Sequence, residues 1–512
     1  MTNATSVLRS LVVYGLCLPL AVVLGYLLAT PEELNTLAVV GLVLFVLTIP
    51  LFLRWHHPWL VASWNMSAIV FFLPGQPPLW LALTAISLGI LLLQYSMNRD
   101  IKFLSVPPVT RSLLFFTLVI LITMRLTGGI GLRSMGSETH GGKRYIELIG
   151  AILGYFAITS RQIPLKRAGL YVTLFFLGST TMSIGTLAGK VGPSMNFLFL
   201  LFPMENLAQL DNAYSDFTGL SRLAGIPFLS LGVFCAMLAR FGMTGLLDAR
   251  RPWRLLCLFF FTVLGMYGGY RSMLIIFLLT AAILFYLEGL TRTRLFPMVV
   301  LGVALCGVLV AGFASRMPMA LQRSLAFLPL DIDPLARLSA SASSEWRLQM
   351  WRELTPQIPE YLIVGKGYSF KASEAQKLQQ AAAATSALEG TELVGDYHNG
   401  PLSVILTFGI FGTAGFVWFL VAGFRVVHQN YQFGNPQLQR VNTFLFAFYI
   451  TRVIIFFTIF GSLYSDMAVF TGMVALSISL NGGVAKPEPV PQPKVAYNRF
   501  RIHHTERKPL EA

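Results

Sequence analysis

The chain has 512 residues, of which 55% are hydrophobic and only 12% charged, and its mean hydropathy is +0.66. This composition excludes an ordinary water-soluble domain and indicates a protein that lives in a lipid bilayer. The net charge of +15 does not indicate nucleic-acid binding, because the basic residues are concentrated in every second loop between the apolar runs. The four cysteines stand singly in such runs and predict neither a disulfide nor a metal site.

Apolar runs near the ~20 residues needed to cross ~30 Å of hydrocarbon recur almost from end to end. They predict an all-α polytopic integral membrane protein with about 12–14 transmembrane helices and one large extracytoplasmic loop. The first run, after Arg9, is longer than a signal-peptide core and is expected to be retained. The predicted spans are 9–29, 36–53, 59–73, 79–97, 111–127, 145–160, 168–189, 224–240, 254–270, 272–289, 296–313, 400–424, 441–458 and 460–480.

The distribution of Lys and Arg predicts the topology. Under the positive-inside rule, the basic loops lie in the cytoplasm and the intervening loops face outward. Residues 1–313 then contain the first eleven helices, 314–398 form an extracytoplasmic (periplasmic) loop with short helices, and 399–480 contain the last three. The Pro-rich, basic segment 481–512 is predicted to be a disordered cytoplasmic tail that touches membrane lipids.

Residues 127–145, "TGGIGLRSMGSETHGGKRY", form an outward Gly-rich loop. The segment fails the phosphate-loop pattern twice, at Ser137 and at Arg144. A flexible outer loop is one interpretation. The other is that Arg133, Lys143 and Arg144 help to hold an anionic headgroup.

Two arginines interrupt apolar runs. Arg271 stands at the outer turn of a tight helical hairpin, where it either snorkels to the interface or faces inward as a fixed charge suited to phosphate oxygens. Arg452 lies deeper within its run, and such a residue is either part of a functional site or one partner of an internal ion pair.

The long loop contains "SSEWRLQMWRELTPQIPEYLIVGKGYSF", which predicts a short amphipathic helix from about Ser344, followed by a turn around Lys366. Trp346 and Met350 share one face of this helix, which suits the membrane boundary. No HExxH or Cys/His metal-binding spacing is present, so neither a metal nor a cofactor is predicted.

"VGDYHNGPLSVILTFGIFGTAGF", 394–416, places His398 and Asn399 directly before an apolar helix. A lone histidine at a helix start is commonly a cap. Glycines at 409, 412 and 415 then recur every third residue and predict a face on which a neighbouring helix packs closely.

The hairpin with Arg271, the loop with "WRLQMW" and "GKGYSF", and "YHNGPLSVILTFGIFGTAGF" together resemble the O-antigen ligase and O-antigen polymerase superfamily over roughly residues 255–425. At Arg271 the chain reads Tyr-Arg-Ser, where family members often have Ser-Arg-Gly.

This resemblance implies a GT-C-like fold and a glycosyltransferase of the bacterial inner membrane whose active face is periplasmic. It implies metal-independent, inverting transfer of a glycan from undecaprenyl diphosphate to a glycan or lipid A-core acceptor, in lipopolysaccharide or surface-polysaccharide biosynthesis. Arg271 and Arg347 match the diphosphate-binding arginines, and His398 matches the catalytic histidine. Asn399, Arg452, Lys366 and Arg133 are possible supporting residues.

Three alternatives remain open at this point. The acceptor distinguishes a ligase, a polymerase and a protein glycosyltransferase, and the sequence does not choose among them. A transporter or flippase of a lipid-linked or anionic substrate would use the same arginines along a pathway. A structural scaffold would explain the hydrophobicity but gives no reason for Arg271, Arg347 and His398.

Overall fold

The computed structural model describes residues 34–97, 106–128, 139–203, 223–371 and 395–487, with a few isolated positions outside these ranges. Three predicted features therefore lie outside the described residues or fall only on isolated positions: the first span at 9–29, Arg133 and most of the basic tail. The α-helices are α1 Leu34–Ser63, α2 Leu79–Met97, α3 Pro107–Leu126, α4 Gly142–Ile158, α5 Ala168–Leu177, α6 Met182–Val191, α7 Ile226–Leu246, α8 Trp253–Met266, α9 Arg271–Leu287, α10 Leu295–Phe313, α11 Met319–Leu325, α12 Pro334–Leu354, α13 Ile358–Tyr361, α14 Gly400–Phe433, α15 Gln439–Thr458 and α16 Leu463–Asn481.

Membrane-spanning helices dominate this architecture. Within the described ranges, eight helices are long and apolar enough to cross a bilayer, and α8 and α9 form a shorter apolar pair. The prediction of an all-α polytopic membrane protein is confirmed. The eight candidate spans are Leu79–Ser96, Pro107–Leu126, Leu165–Val191, Ile226–Leu246, Leu295–Arg316, Gly400–Phe433, Pro436–Thr458 and Leu463–Asn481.

The predicted span at 59–73 is not a continuous helix. Helix α1 runs through a non-helical residue at Trp55 and ends at Ser63. Residues 64–78 then form turns, with an isolated bridge between Ile69 and Pro78. The Pro-Gly-Gln-Pro-Pro sequence after Leu73 favours the last of these turns, before α2, whereas residues 64–73 are mainly apolar. Hydropathy alone does not register this interruption.

The buried core lies among α3, α4, α14, α15 and α16, where α14 packs along α3 and α16 along α4. A Cβ at Gly415 would come within 2.9 Å of the Phe115 ring on α3, so a side chain here would force that ring to shift and glycine favours the close approach. At Gly409 the backbone leaves the helical region, with φ of +64°, and α14 bends. The predicted packing role of the glycine series is confirmed at Gly415, whereas Gly409 marks a kink.

A short antiparallel ladder ties the Gly-rich segment to the long loop. It consists of β1, Thr139–His140, and β2, Phe370–Lys371, with Thr139 opposite Lys371 and His140 opposite Phe370. Because β1 directly precedes α4, the ladder holds the start of α4 against the loop.

Candidate functional site

The hairpin between α8 and α9 places Arg271 at the first position of α9. The turn is closed at Gly269, whose φ of +68° favours glycine and whose carbonyl accepts a hydrogen bond from Arg323 Nη1 at 3.2 Å. Arg271 Nη2 donates to Ser344 Oγ at 2.9 Å. The guanidinium is therefore directed toward the long loop, as the inward-facing interpretation requires.

Helix α12 lies in the long loop and contributes Ser344 and Arg347 to the site. It begins at Pro334, with the Asp333 side chain accepting from the Leu335 amide at 2.8 Å. The predicted start near Ser344 was therefore wrong by about three turns. The small residues between Leu338 and Ser344 have no apolar periodicity, but the Asp-Pro pair is a helix-start signal in the sequence.

Protein packing fixes the inner face of α12. Met350 and Leu354 are fully buried with Tyr397, Leu402 and Leu406, and Trp351 Nε1 donates to the Tyr397 carbonyl at 3.0 Å. This face packs against the start of α14, and the same contacts set the distance from Arg347 to the residues before α14.

Arg347 is partly buried beside Arg271. Its guanidinium carbon lies 5.8 Å from the ring centroid of Phe460, in the loop between α15 and α16. Burial lowers the pKa of Arg347, the charge of Arg271 lowers it further, and Asp396 opposes both. Two guanidinium groups close enough to repel each other form a site that favours an anion.

His398 lies between two aromatic rings, with centroids 5.3 Å from Trp346 and 5.1 Å from Phe460. Its φ of +48° is in the left-handed region, which non-glycine residues adopt rarely and mostly where the surroundings impose it. The next residue, Asn399, accepts a hydrogen bond from the Leu402 amide at 3.0 Å and caps α14. The cap is therefore Asn399, which leaves the imidazole of His398 available for other contacts.

Burial sets the protonation of His398. It lowers the pKa of the imidazole, the charge of Arg347 acts in the same direction, and Asp396 partly compensates. The His398 Nδ1 and Asp396 Oδ1 atoms are 3.7 Å apart, too far for a hydrogen bond. At neutral pH the imidazole is uncharged and able to accept a proton.

Four polar atoms of this cluster are buried and have no hydrogen-bond partner within the described chain: Trp346 Nε1, Arg347 Nε, Asp396 Oδ1 and His398 Nδ1. Buried polar atoms are usually paired, so such a concentration is typical of a site that binds a polar ligand. The cluster offers two cationic groups, an uncharged base and an indole donor within one small region.

A second group of side chains, Arg144, Tyr368 and Tyr464, lies beside the cluster around His398. The Arg144 guanidinium carbon lies 4.1 Å from the Tyr464 ring centroid and 5.6 Å from that of Tyr368. The Tyr464 hydroxyl donates to Asp396 Oδ2 at 3.4 Å. Arg144 was recognised only as a possible headgroup contact, and Tyr464 had no sequence signal because its partners are distant in the chain.

Two of the possible supporting residues have other contacts. The Arg452 guanidinium pairs with the Asp466 carboxylate inside the bundle, which is the internal ion pair considered from sequence. The Lys366 amide donates to the Leu406 carbonyl at 2.7 Å, and its ammonium lies 5.9 Å from the Tyr361 ring centroid. Neither contact links these residues to Arg347 or His398.

The apolar helical bundle defines a multi-pass membrane protein, and this polar cluster lies at one end of its helices. Residues 255–417 match the family model of the O-antigen ligase, Wzy_C. About a third of the chain thus forms an O-antigen ligase domain, which supports the resemblance to the O-antigen ligase and O-antigen polymerase superfamily and a membrane enzyme of surface-polysaccharide biosynthesis. The matched segment contains Arg271, Arg347, Asp396 and His398. No curated protein matches the chain.

Proposed function

We propose that the protein is a glycosyltransferase that moves a glycan from undecaprenyl diphosphate to an acceptor hydroxyl at the extracytoplasmic face of the bacterial inner membrane. The observation that carries the proposal is the convergence of Arg271, Arg347 and His398, which come from three separate segments of the chain. The O-antigen ligase family supports a lipid-linked glycan donor and an acceptor as substrates.

The two arginines would bind the diphosphate. As the bond between the anomeric carbon and the diphosphate oxygen breaks, its electron pair remains on the leaving group. Fixed guanidinium donors stabilise that charge most effectively where little water is present, and an arginine fork matches phosphate oxygens. Arg271 and Arg347 therefore make metal-independent transfer chemically reasonable.

His398 would act as the general base. The acceptor oxygen attacks the anomeric carbon while its proton passes to the uncharged imidazole, and a single displacement of this kind inverts the anomeric centre. An imidazole whose pKa lies below its ordinary value is in the required form at neutral pH. Trp346 Nε1 and the aromatic rings beside His398 suit the faces and hydroxyls of a sugar.

The transmembrane bundle and the long loop would each bind a different substrate. The apolar helices would accommodate the polyprenyl chain, and the segment 314–398 would receive the acceptor. Ligase and polymerase forms share this donor chemistry and differ only in the acceptor.

The test measures lipid-linked and finished surface glycan in a deletion strain that carries no copy, the wild type or His398→Ala. Untransferred long lipid-linked chains identify a ligase, and single lipid-linked repeats identify a polymerase. Unchanged glycan in all three strains would contradict glycosyl transfer and favour the transporter alternative.

A further inference from the structure

A second cationic region lies at the end of the bundle opposite His398. Helix α8 runs from Trp253 to the hairpin beside Arg271, so its start is a full helix length from the candidate site. Here α5, α7 and α8 line an open cavity of about 540 Å³. This volume falls within the range of about 300–1,000 Å³ typical of small-molecule sites.

The cavity is basic at one end. Arg240 from α7, Arg251 from the connecting turn and Arg254 from α8 all line it. No carboxylate pairs with these three arginines in the described part of the chain. The two nearby acids accept hydrogen bonds from backbone amides instead: Asp248 from Arg250, and Glu288 from Met243 and Thr244.

Arg254 shows that this is more than a charged surface. The residue is 8% exposed, and its Nε is buried without a hydrogen-bond partner in the described structure. Its Nη1 donates to the Gly245 carbonyl at 3.0 Å, and its guanidinium carbon lies 4.1 Å from the Phe241 ring centroid. A charged side chain held in this way, with a free donor, favours an anion within the cavity.

The remaining wall is apolar. Leu177, Val233 and Met237 line the cavity deeper within the membrane-spanning part of α5 and α7. The exposed indole of Trp253 lies at the basic end, as is common for tryptophan at a membrane interface. A free phosphate would contact only the arginines and leave the apolar wall unfilled, whereas a phospholipid has a group for each part.

We propose that this cavity binds one anionic glycerophospholipid of the membrane leaflet opposite the candidate site. Its phosphate contacts Arg240, Arg251 and Arg254, and an acyl chain lies along Leu177, Val233 and Met237. Basic pockets between helices at headgroup level are suited to such lipids. The proposal does not depend on the transfer reaction.

The test uses the full-length protein in a neutral detergent. Phosphatidylglycerol, phosphatidylcholine or inorganic phosphate alone is titrated, and retained lipid is measured by native mass spectrometry together with the melting temperature. The test variants are Arg254→Gln and the exposed pair Arg240→Gln with Arg251→Gln. The matched control is Arg250→Gln with Arg292→Gln, which removes two positive charges at the same end without touching the cavity.

We expect the wild type to retain phosphatidylglycerol in preference to phosphatidylcholine and to melt at a higher temperature with it. The double variant Arg240→Gln with Arg251→Gln should lower the affinity for phosphatidylglycerol by about 25-fold, since each arginine near an anionic lipid contributes about fivefold. The control should bind like the wild type. The exposed pair decides the question if Arg254→Gln fails to fold.

Three outcomes would overturn the proposal. One is equal retention of the two lipids by the wild type. Another is equal loss in the exposed pair and in the control, which would indicate only net charge. The third is a melting-temperature shift given by inorganic phosphate and not by phosphatidylglycerol, which would assign the arginines to a soluble anion.

Discussion

Arg271 Nη2 donates a hydrogen bond to Ser344 Oγ at 2.9 Å, which joins the start of α9 to the loop helix α12, 73 residues further along the chain. Ser344 precedes Arg347 by about one helical turn, so this bond also brings the two guanidinium groups together. The like charges persist side by side because the surrounding packing holds α12 in place. An anion bound between them would relieve this repulsion.

Replacing Arg347 tests the role of that charge. Arg347→Gln should lower the transfer rate by about 10²–10³-fold, the usual cost of losing one donor to a developing negative charge. The measurement is turnover of a lipid-linked diphosphate donor by purified protein. Arg352→Gln, an exposed position on the same helix, is the control and should retain activity. Equal activity of both variants would argue against a diphosphate contact at Arg347.

The pH dependence of transfer should report His398. Burial holds the pKa of His398 below its ordinary 6.5, so the proton-accepting form persists to lower pH than for a free imidazole. The rate should therefore begin to decline at a lower pH than it would with an imidazole of the ordinary pKa. In Asp396→Asn the group that raises this pKa is lost, so the decline should move to still lower pH. A shift toward higher pH in that variant would contradict the assignment.

Tyr464 should act as a positioning residue. Tyr464→Phe keeps the ring beside Arg144 but removes the hydroxyl that donates to Asp396. Without that donor the Asp396 carboxylate is less offset and raises the pKa of His398 further, so the acidic decline in rate should move to higher pH. The rate itself should fall about 2–10-fold, the usual effect of one hydrogen bond. Tyr431→Phe, toward the other end of α14, is the control, and an unchanged pH profile in Tyr464→Phe would rule out this role.

The Arg452–Asp466 pair should be mainly structural. Arg452→Leu leaves the Asp466 carboxylate buried without its partner and should destabilise the fold by about 3–5 kcal/mol. The double variant Arg452→Met with Asp466→Leu removes both charges and should recover most of the loss, as measured by thermal unfolding in detergent. If the double variant is stable but inactive, Arg452 supports the site as predicted from sequence. If it is stable and active, the pair serves the bundle alone.

Much of the fold could be predicted from sequence because hydrophobic length is a direct requirement of the bilayer. The hairpin at Arg271 and the start of α14 after Asn399 were predicted from local signals. The break after Ser63 was missed because residues 64–73 remain mainly apolar, and hydropathy does not distinguish apolar turns from a helix. The start of α12 was missed because an alanine-serine run has no periodicity, although Asp333 and Pro334 mark it.

The site was predicted in part. Arg271, Arg347 and His398 were identified because their residue types and flanking motifs resemble a known family. The Tyr464–Asp396 contact could not be predicted, since it joins residues 68 apart and depends on how α16 packs. The contact of Arg144 with Tyr464 likewise joins residues far apart in the chain, at the starts of α4 and α16.

The most direct test of the central claim compares His398→Ala with His428→Ala in the purified protein. His398 directly precedes the cap of α14, and His428 lies within α14 among Phe424, Tyr431 and Phe446, toward the other end of the helix. The measurement is the release of undecaprenyl diphosphate from a glycan-bearing donor in the presence of acceptor, at matched protein amounts. We expect His398→Ala to lose about 10²–10⁴-fold and His428→Ala to retain wild-type rates. Wild-type release by a folded His398→Ala protein would contradict the claim that this imidazole carries the transfer.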